Sequence, residues 1–300
     1  MNFKEKLLTA AHANKSWLCV GLDPDISQFP EKIGRDAGSI LEFNGAVIEA
    51  TSDLVCAYKP NAAFYEAWGA RGWEILVETV KLVPKNIPVI LDCKRGDIGN
   101  TARMYAASAF EAVGADAVTL SPYLGRDSLE PFLCYRDKGV FILCLTSNSS
   151  SADLQKKIVL IDEPPSVGAM TPQSKARTLA EFFNVSTVEL YLYVARLARQ
   201  WNEGDNIGLV VGATSPLQLE KVRKEAGQEM PILIPGVGAQ GGDLESALEN
   251  GSNGRGELAI INVARSIIYA GGVKEYPGGI RRAAERYRET IENILNKKKR

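Results

Sequence analysis

Histidine is nearly absent from this chain, with His12 alone among 300 residues. A single imidazole on a helix-like N-terminal stretch excludes Ser-His-Asp chemistry and histidine-rich metal centres, because histidine needs partners to act as base or ligand. Acid–base work must fall to Asp, Glu, Lys or Tyr. Charge of one sign is also missing: the formal net charge is −1, so no global field recruits nucleic acid or a membrane surface. No apolar run approaches the roughly 20 residues of a membrane-spanning helix. Met1 to Val20 carries Lys4, Glu5 and Lys6 and lacks the apolar centre of a signal peptide. The five cysteines, Cys19, Cys56, Cys93, Cys134 and Cys144, form no CxxC pair. Most sit in apolar strand-like runs, which predicts reduced core thiols and a cytoplasmic protein.

What the chain does have is a core, with 45% hydrophobic residues. Eight short apolar runs recur: Trp17–Leu22, Leu54–Tyr58, Ile87–Leu91, Ala117–Leu120, Val140–Leu145, Leu209–Val211, Ile232–Ile234 and Leu258–Val263. Several lack alternation, as parallel strands covered on both faces do. Helical patterns separate them, at Ile40–Asp53, Tyr65–Val83, Ala102–Val113, Ser128–Lys138, Val188–Asn202, Leu217–Ala226, Leu244–Asn250 and Ile280–Asn296. Eight strand–helix repeats predict an α/β protein, a single-domain (β/α)8 TIM barrel over residues 1–300, in preference to an open doubly wound sheet. One connection is too long for such a repeat. Residues 149–187, with Glu163-Pro164-Pro165, Pro172 and a polar helical piece near Gln173–Phe183, read as an insertion after the fifth strand.

The most informative stretch is Asp92-Cys93-Lys94-Arg95-Gly96-Asp97, at the end of the third apolar run. Side chains two apart on a strand share a face, so Asp92 and Lys94 should project together, with Asp97 just beyond. Charge at a strand mouth is expensive unless paired, and such a cluster points to use. Function in a barrel of this kind collects at the C-terminal strand ends. Each end carries polar or glycine-rich residues: Gly21-Leu22-Asp23, Lys59-Pro60-Asn61, Ser121-Pro122-Tyr123, Thr146-Ser147-Asn148, Gly212-Ala213-Thr214, and Asn262 to Ser266.

After the seventh strand, Gly236, Gly238, Gly241 and Gly242 precede a helix opening at Asp243-Leu244, and Arg265 ends the eighth strand. Glycines admit an anion to backbone N–H groups, a helix N-terminus adds its dipole, and arginine offers a bidentate fork. Together they predict a phosphate site. Gly236 to Gly241 also matches G-x-G-x-x-G, but at the seventh repeat rather than the first and without the acidic residue that would hold a ribose 2′-OH, which argues against a dinucleotide.

With these residues in place, the chain resembles the orotidine 5′-phosphate decarboxylase family, in its longer, bacterial-type branch. The resemblance runs from Leu18 to about Ile268. It is carried by GLDPD (Gly21–Asp25), YKPNAAFYE (Tyr58–Glu66), LDCKRGDIGNTA (Leu91–Ala102), LVVGAT (Leu209–Thr214) and PGVGAQGGD (Pro235–Asp243). It implies a homodimeric enzyme that converts orotidine 5′-monophosphate to uridine 5′-monophosphate (UMP) and CO2, the last step of de novo UMP synthesis, without metal or organic cofactor. Lys59, Asp92, Lys94 and Asp97 would form an alternating charge network, with Lys94 protonating C6. Asp97 and Thr101 would reach the neighbouring subunit's site. Asp23 and Lys59 would hold ribose hydroxyls with Asn61 in support, Ser147 beside Thr146 would bond the pyrimidine, and Gln240, Gly241 and Arg265 would bind the 5′-phosphate. Two departures stand out: Ser121 replaces the family's usual Asn before Pro-Tyr, and the insertion is long.

The residues support that chemistry on their own terms. Loss of CO2 from C6 leaves a carbanion that the ring cannot delocalise, and no cofactor motif offers an electron sink. Fixed electrostatics must then do the work. A Mg²⁺-dependent sugar-phosphate lyase or synthase of the same superfamily shares the D-x-K-x-x-D spacing and is the alternative.

Overall fold

The computed structural model describes residues 1–161, 187–238 and 241–298. The strands are β1 (Leu18–Leu22), β2 (Ala57–Pro60), β3 (Ile90–Arg95), β4 (Ala117–Leu120), β5 (Gly139–Leu145), β6 (Ile158–Leu160), β7 (Thr187–Glu189), β8 (Ile207–Val211), β9 (Ile232–Pro235) and β10 (Ala259–Val263). Eight of them form one parallel sheet in the order β2-β1-β10-β9-β8-β5-β4-β3. Parallel bridges Tyr58↔Val89 and Asn61↔Asp92 join its two ends, so the sheet closes into the expected barrel. Every residue of β1, β4, β8 and β10 is buried, which explains why these runs show no alternation.

The floor of the barrel is sealed by the helix Phe3–Ala13, started by an Asn2/Glu5 capping box. Phe3 packs edge-on to Phe141 at 5.6 Å between ring centroids. A Cβ on Gly139 would lie 2.5 Å from the Phe3 ring, so β5 must begin with glycine here. His12 lies exposed on this helix with Nε2 3.0 Å from Glu257, remote from the strand mouths that carry the polar residues.

Several boundaries differ from the sequence reading. β2 begins at Ala57 because the preceding helix, Ala37–Thr51, and its turn take up Leu54. The pattern at Tyr65–Val83 divides into Ala63–Glu66 and Gly69–Leu82, broken where Gly69 takes φ +61°. The pattern at Ser128–Lys138 yields only Glu130–Leu133 as α-helix, since the chain must return promptly to Gly139. Val188 belongs to a strand, and its helix spans Leu190–Trp201. β6 and β7 pair antiparallel, Ile158 opposite Glu189, and pinch together the two ends of the long connection after β5. The helical piece proposed at Gln173–Phe183 lies outside the described residues.

Candidate active site

The C-terminal strand mouths enclose a cavity of about 440 Å³, lined by Asp23, Lys59, Asn61, Asp92, Lys94, Thr119, Thr146, Ser147, Asn148, Asn262 and Arg265 together with an apolar wall of Leu143, Val210, Leu233, Pro235 and Val237. That volume and that mixture suit a mononucleotide-sized ligand. A larger groove of about 1010 Å³, between Gly99 and Tyr135 on the barrel's flank, holds none of the Lys59–Asp92–Lys94 cluster.

At the centre stands Asp92. Its Oδ2 accepts from Lys59 Nζ at 2.9 Å and its Oδ1 from Lys94 Nζ at 2.6 Å. Thr119 Oγ1 also donates to Oδ1, at 2.8 Å. Burial alone would raise the Asp92 pKa, but the two ammonium groups more than offset it and hold the carboxyl well below the usual range. Lys59 is almost fully enclosed. Burial works against its charge, yet Asp92 and Asp23 prevail and raise its pKa above the ordinary lysine value. Both groups are therefore locked as ions at neutral pH.

Asp92 and Lys94 do meet, but not through regular alternation. Leu91 pairs with Val118 and Arg95 with Leu120, so β3 bulges between them. Lys94 sits in that bulge at φ +46°, a left-handed conformation costly for a lysine. Thr119 accepts the Lys94 backbone N–H at 3.0 Å while its hydroxyl bonds Asp92. One buried hydroxyl thus fixes both the strained backbone and the carboxylate. Nothing in the apolar run Ala117–Leu120 marks Thr119 as functional except that it is the one polar residue in it.

Asp23 occupies the mouth of β1. Its pKa is raised, chiefly by burial, with Lys59 opposing. Its Oδ1 is enclosed and has no hydrogen-bond partner. The surrounding backbone is held firmly: Tyr269 Oη donates to the Asp23 carbonyl at 3.1 Å and accepts from the Asp25 N–H at 2.6 Å, and Tyr65 Oη donates to the Leu22 carbonyl at 3.1 Å. Neither tyrosine was singled out in the sequence.

Thr146 and Ser147 lie at the mouth of β5. Gln155, from the start of the long connection, accepts the Thr146 N–H at 2.8 Å through Oε1 and donates to Thr146 Oγ1 at 2.9 Å. The connection therefore braces this wall. On the next strand, a Cβ at Gly212 would lie 2.9 Å from Ser147 Cα and Cβ, so glycine there is what admits Ser147 to the cavity.

Arg265 stands exposed at the mouth of β10, with no ion pair among the described residues. The loop after β9 folds onto itself: Gly241 N–H donates to the Gly238 carbonyl at 2.9 Å and Gly242 N–H to the Gly236 carbonyl at 3.0 Å. Gly236 and Val237 line the cavity and Gly241 does not. The Gly241 amide is thus already engaged, because Gly238 and Gly241, at φ +77° and +79°, turn the loop tightly. Gln240 lies outside the described residues. Asp97 and Thr101 are not among the cavity's lining residues. Asp97 Oδ1 accepts from the Ile98 N–H at 2.8 Å, and Thr101 is exposed on the helix Gly99–Ala107. Ser121, at the mouth of β4, is likewise outside the cavity lining.

A closed parallel barrel with alternating charge at one end, and beside a glycine loop an arginine that makes no ion pair among the described residues, fits an enzyme for phosphate-bearing substrates. Residues 16–276 match the model of the family described as "Orotidine 5'-phosphate decarboxylase / HUMPS family". The chain is 47% identical over 286 residues to orotidine 5′-phosphate decarboxylase of Herpetosiphon aurantiacus, covering 95% of this chain and 96% of that protein. It is 48% identical over 291 residues to the protein of the same name from Dehalococcoides mccartyi, covering 97% of each. Among solved structures, OMP decarboxylase of Leishmania donovani superposes with a TM-score of 0.79 at 39% identity, covering 99% of both chains. The chain belongs to the orotidine 5′-phosphate decarboxylase family.

Proposed function

We propose that the chain decarboxylates orotidine 5′-monophosphate to UMP and CO2, the closing step of UMP synthesis, with Lys94 delivering the proton to C6 and no metal or organic cofactor. The observation that carries this reading is the Lys59–Asp92–Lys94 chain of ion pairs facing a nucleotide-sized cavity, in a protein nearly half identical to named decarboxylases.

The chemistry follows from the charges. The substrate carboxylate at C6 enters a site where Asp92 is locked as an anion. Like charges ~4 Å apart at an effective dielectric of ~20 repel by about 4 kcal/mol, and departure of CO2 relieves that repulsion. Lys94, 2.6 Å from Asp92, presents an ammonium to the developing carbanion and then its proton, so stabilisation and protonation come from one group. Remote binding of the phosphate at Arg265 and the loop after β9 anchors the ring against these charges. Ser147 and Thr146 meet the pyrimidine, and Asp23, Lys59 and Asn61 the ribose. A Mg²⁺-dependent lyase would need Asp92 as a cation ligand. Two ammonium groups within 2.9 Å already compete for that carboxylate. Turnover of orotidine monophosphate, followed by ultraviolet absorbance in EDTA, should proceed at the untreated rate; loss in EDTA with recovery on Mg²⁺ would favour the lyase.

The working unit in this reading is a homodimer in which Asp97 and Thr101 complete the partner's cavity. Support comes from their position outside their own cavity and from the exposed apolar residues around them, Ile98 and Met104. Mixing Lys94→Ala with Asp97→Asn subunits should restore activity, since each mixed dimer then holds one complete site. A verified mixed dimer without recovery counts against sharing. Free cysteines at all five positions suit a cytoplasmic setting.

A further inference from the structure

Asn262 interrupts the apolar run of β10 between Ile261 and Val263. In the barrel register it lies opposite Cys19 of β1 and Pro235 of β9. Registered neighbours on parallel strands share a face, and Asn262 and Pro235 both line the active-site cavity. The side chain is only 8% exposed. Its Oδ1 is enclosed without any hydrogen-bond partner, and the one other cavity-lining atom in that condition among the described residues is Asp23 Oδ1. Buried polar atoms without partners destabilise a fold and call for an explanation. Two of them, on residues at the ends of adjacent strands that line one cavity, share one: both await the same ligand.

We propose that Asn262 is a substrate-contacting residue whose carboxamide, with the Asp23 carboxylate beside it, recognises the ribose hydroxyls of the bound nucleotide. The inference rests on the reading of this cavity as the nucleotide site. The placement follows from the two ends of the ligand. Arg265, three residues further along the chain and just past the end of β10, takes the phosphate at the mouth. Lys94 on β3 takes the reacting carbon. A ligand fixed at both points lays its sugar across the mouths of β10, β1 and β2. The ends of β10 and β1 approach unusually closely there: a Cβ on Gly21 would fall 2.6 Å from Ala264 Cβ. Asp23 as a carboxylate accepts hydrogen bonds only, whereas an amide accepts or donates. The pair therefore suits two adjacent hydroxyls, one donating to Asp23 and one bonded to Asn262. The ring-binding residues Thr146 and Ser147 stand three strands away, on β5.

The test is Asn262→Val, shorter than asparagine, apolar and suited to a strand, with Asn262→Ala as a second variant should valine not fold. Ligand-free thermal unfolding is measured first, then calorimetric affinity for UMP, 2′-deoxy-UMP and 3′-deoxy-UMP. Because the enclosed Oδ1 has no hydrogen-bond partner among the described residues, the ligand-free valine variant should melt at or above the wild-type temperature. Its affinity for UMP should fall about tenfold, equivalent to ~1.4 kcal/mol. That loss should shrink below about threefold for one of the two deoxynucleotides, whose missing hydroxyl leaves nothing for Asn262 to bond. Equal losses on all three nucleotides, no loss on any, or a lower melting temperature with unchanged affinity each overturns the proposal. Wild-type protein that fails to bind UMP overturns the nucleotide reading of the cavity itself, which separates the two failures.

Discussion

The two sides of the cavity are built in opposite ways. On the β2–β4 side, both Asp92 oxygens, both lysines and the Thr119 hydroxyl are engaged with one another. On the β10–β1 side, Asp23 and Asn262 each bury an oxygen with no hydrogen-bond partner among the described residues. Groups that must act on a transition state are held in place beforehand, so that little reorganisation remains at the moment of reaction. Asp23 and Asn262, which the proposed reading assigns to the ribose, are left unsatisfied, and ligand contact repays their desolvation. Under that reading the contrast sets the preorganised Asp92 cluster apart from the Asp23–Asn262 pair.

Substitutions should divide along the same line. The largest effect belongs to Lys94→Ala, which on the proposed reading removes both the proton donor and the cation facing C6. A loss in kcat of about 10³-fold or more is expected from acid catalysis and charge stabilisation together, measured under single-turnover conditions. Residual kcat within tenfold of wild type would dissolve the distinction on the catalytic side.

Next in size is a contrast between two aspartates. Asp92→Asn strips a buried carboxylate from Lys59 and should destabilise the ligand-free protein by about 3 kcal/mol at neutral pH. Asp23→Asn should instead stabilise it, by about 1 kcal/mol, because it removes a carboxylate whose burial outweighs the attraction of Lys59. The signs with pH are opposite too. The Asp92 pKa is depressed, so its contribution is complete above the unfolded value near 3.8 and is lost only as pH falls below that, through the folded pKa. The Asp23 pKa is raised above 3.8; its carboxylate costs stability once pH climbs through the folded value. The advantage of Asp23→Asn should therefore appear at neutral pH and fade as pH falls toward 3.8. Denaturant midpoints measured from about pH 2 to pH 8 test both signs, and a common sign would erase the contrast.

How much of this was legible in the chain depends on range. The barrel was readable because its signal is local and repeated: apolar runs such as Leu209–Val211 and Ile232–Ile234 recur between helical patterns. Asp92 and Lys94 were readable because charge at the end of a buried strand is conspicuous. Their actual geometry was not, since the β3 bulge exists only against β4. Thr119, Gln155 and Gly212 were opaque as parts of the site for the same reason. Each acts on a residue distant in sequence: Thr119 on Asp92, Gln155 on Thr146 across the start of the long connection, and Gly212 by making room for Ser147. The bond from the Gly241 N–H to the Gly238 carbonyl was not legible either, since it depends on how tightly the glycine loop turns. Asp97 was legible as a charge near the strand mouth, but its role across subunits, like that of Thr101, came through family resemblance alone. No reading of a single chain brings them to a cavity that they do not line.

Thr119→Val should give the smallest of these effects on activity and the sharpest diagnosis. Valine keeps the shape and the strand propensity but cannot accept the Lys94 N–H or donate to Asp92. Lys94 at φ +46° then loses the contact that holds its backbone in a costly conformation. Asp92 keeps its two lysines, so the cluster survives while its aim loosens. A fall of about 10- to 30-fold in kcat is expected, the worth of one or two hydrogen bonds to charged or strained groups, with KM changed less than threefold because the β10–β1 side is untouched. Thr119→Ser restores the hydroxyl and should recover most of the lost rate. A change confined to KM, or a serine variant as impaired as valine, would mean that the side of the cavity assigned to chemistry also governs binding, and that its dense hydrogen bonding serves the fold rather than the aim of Lys94.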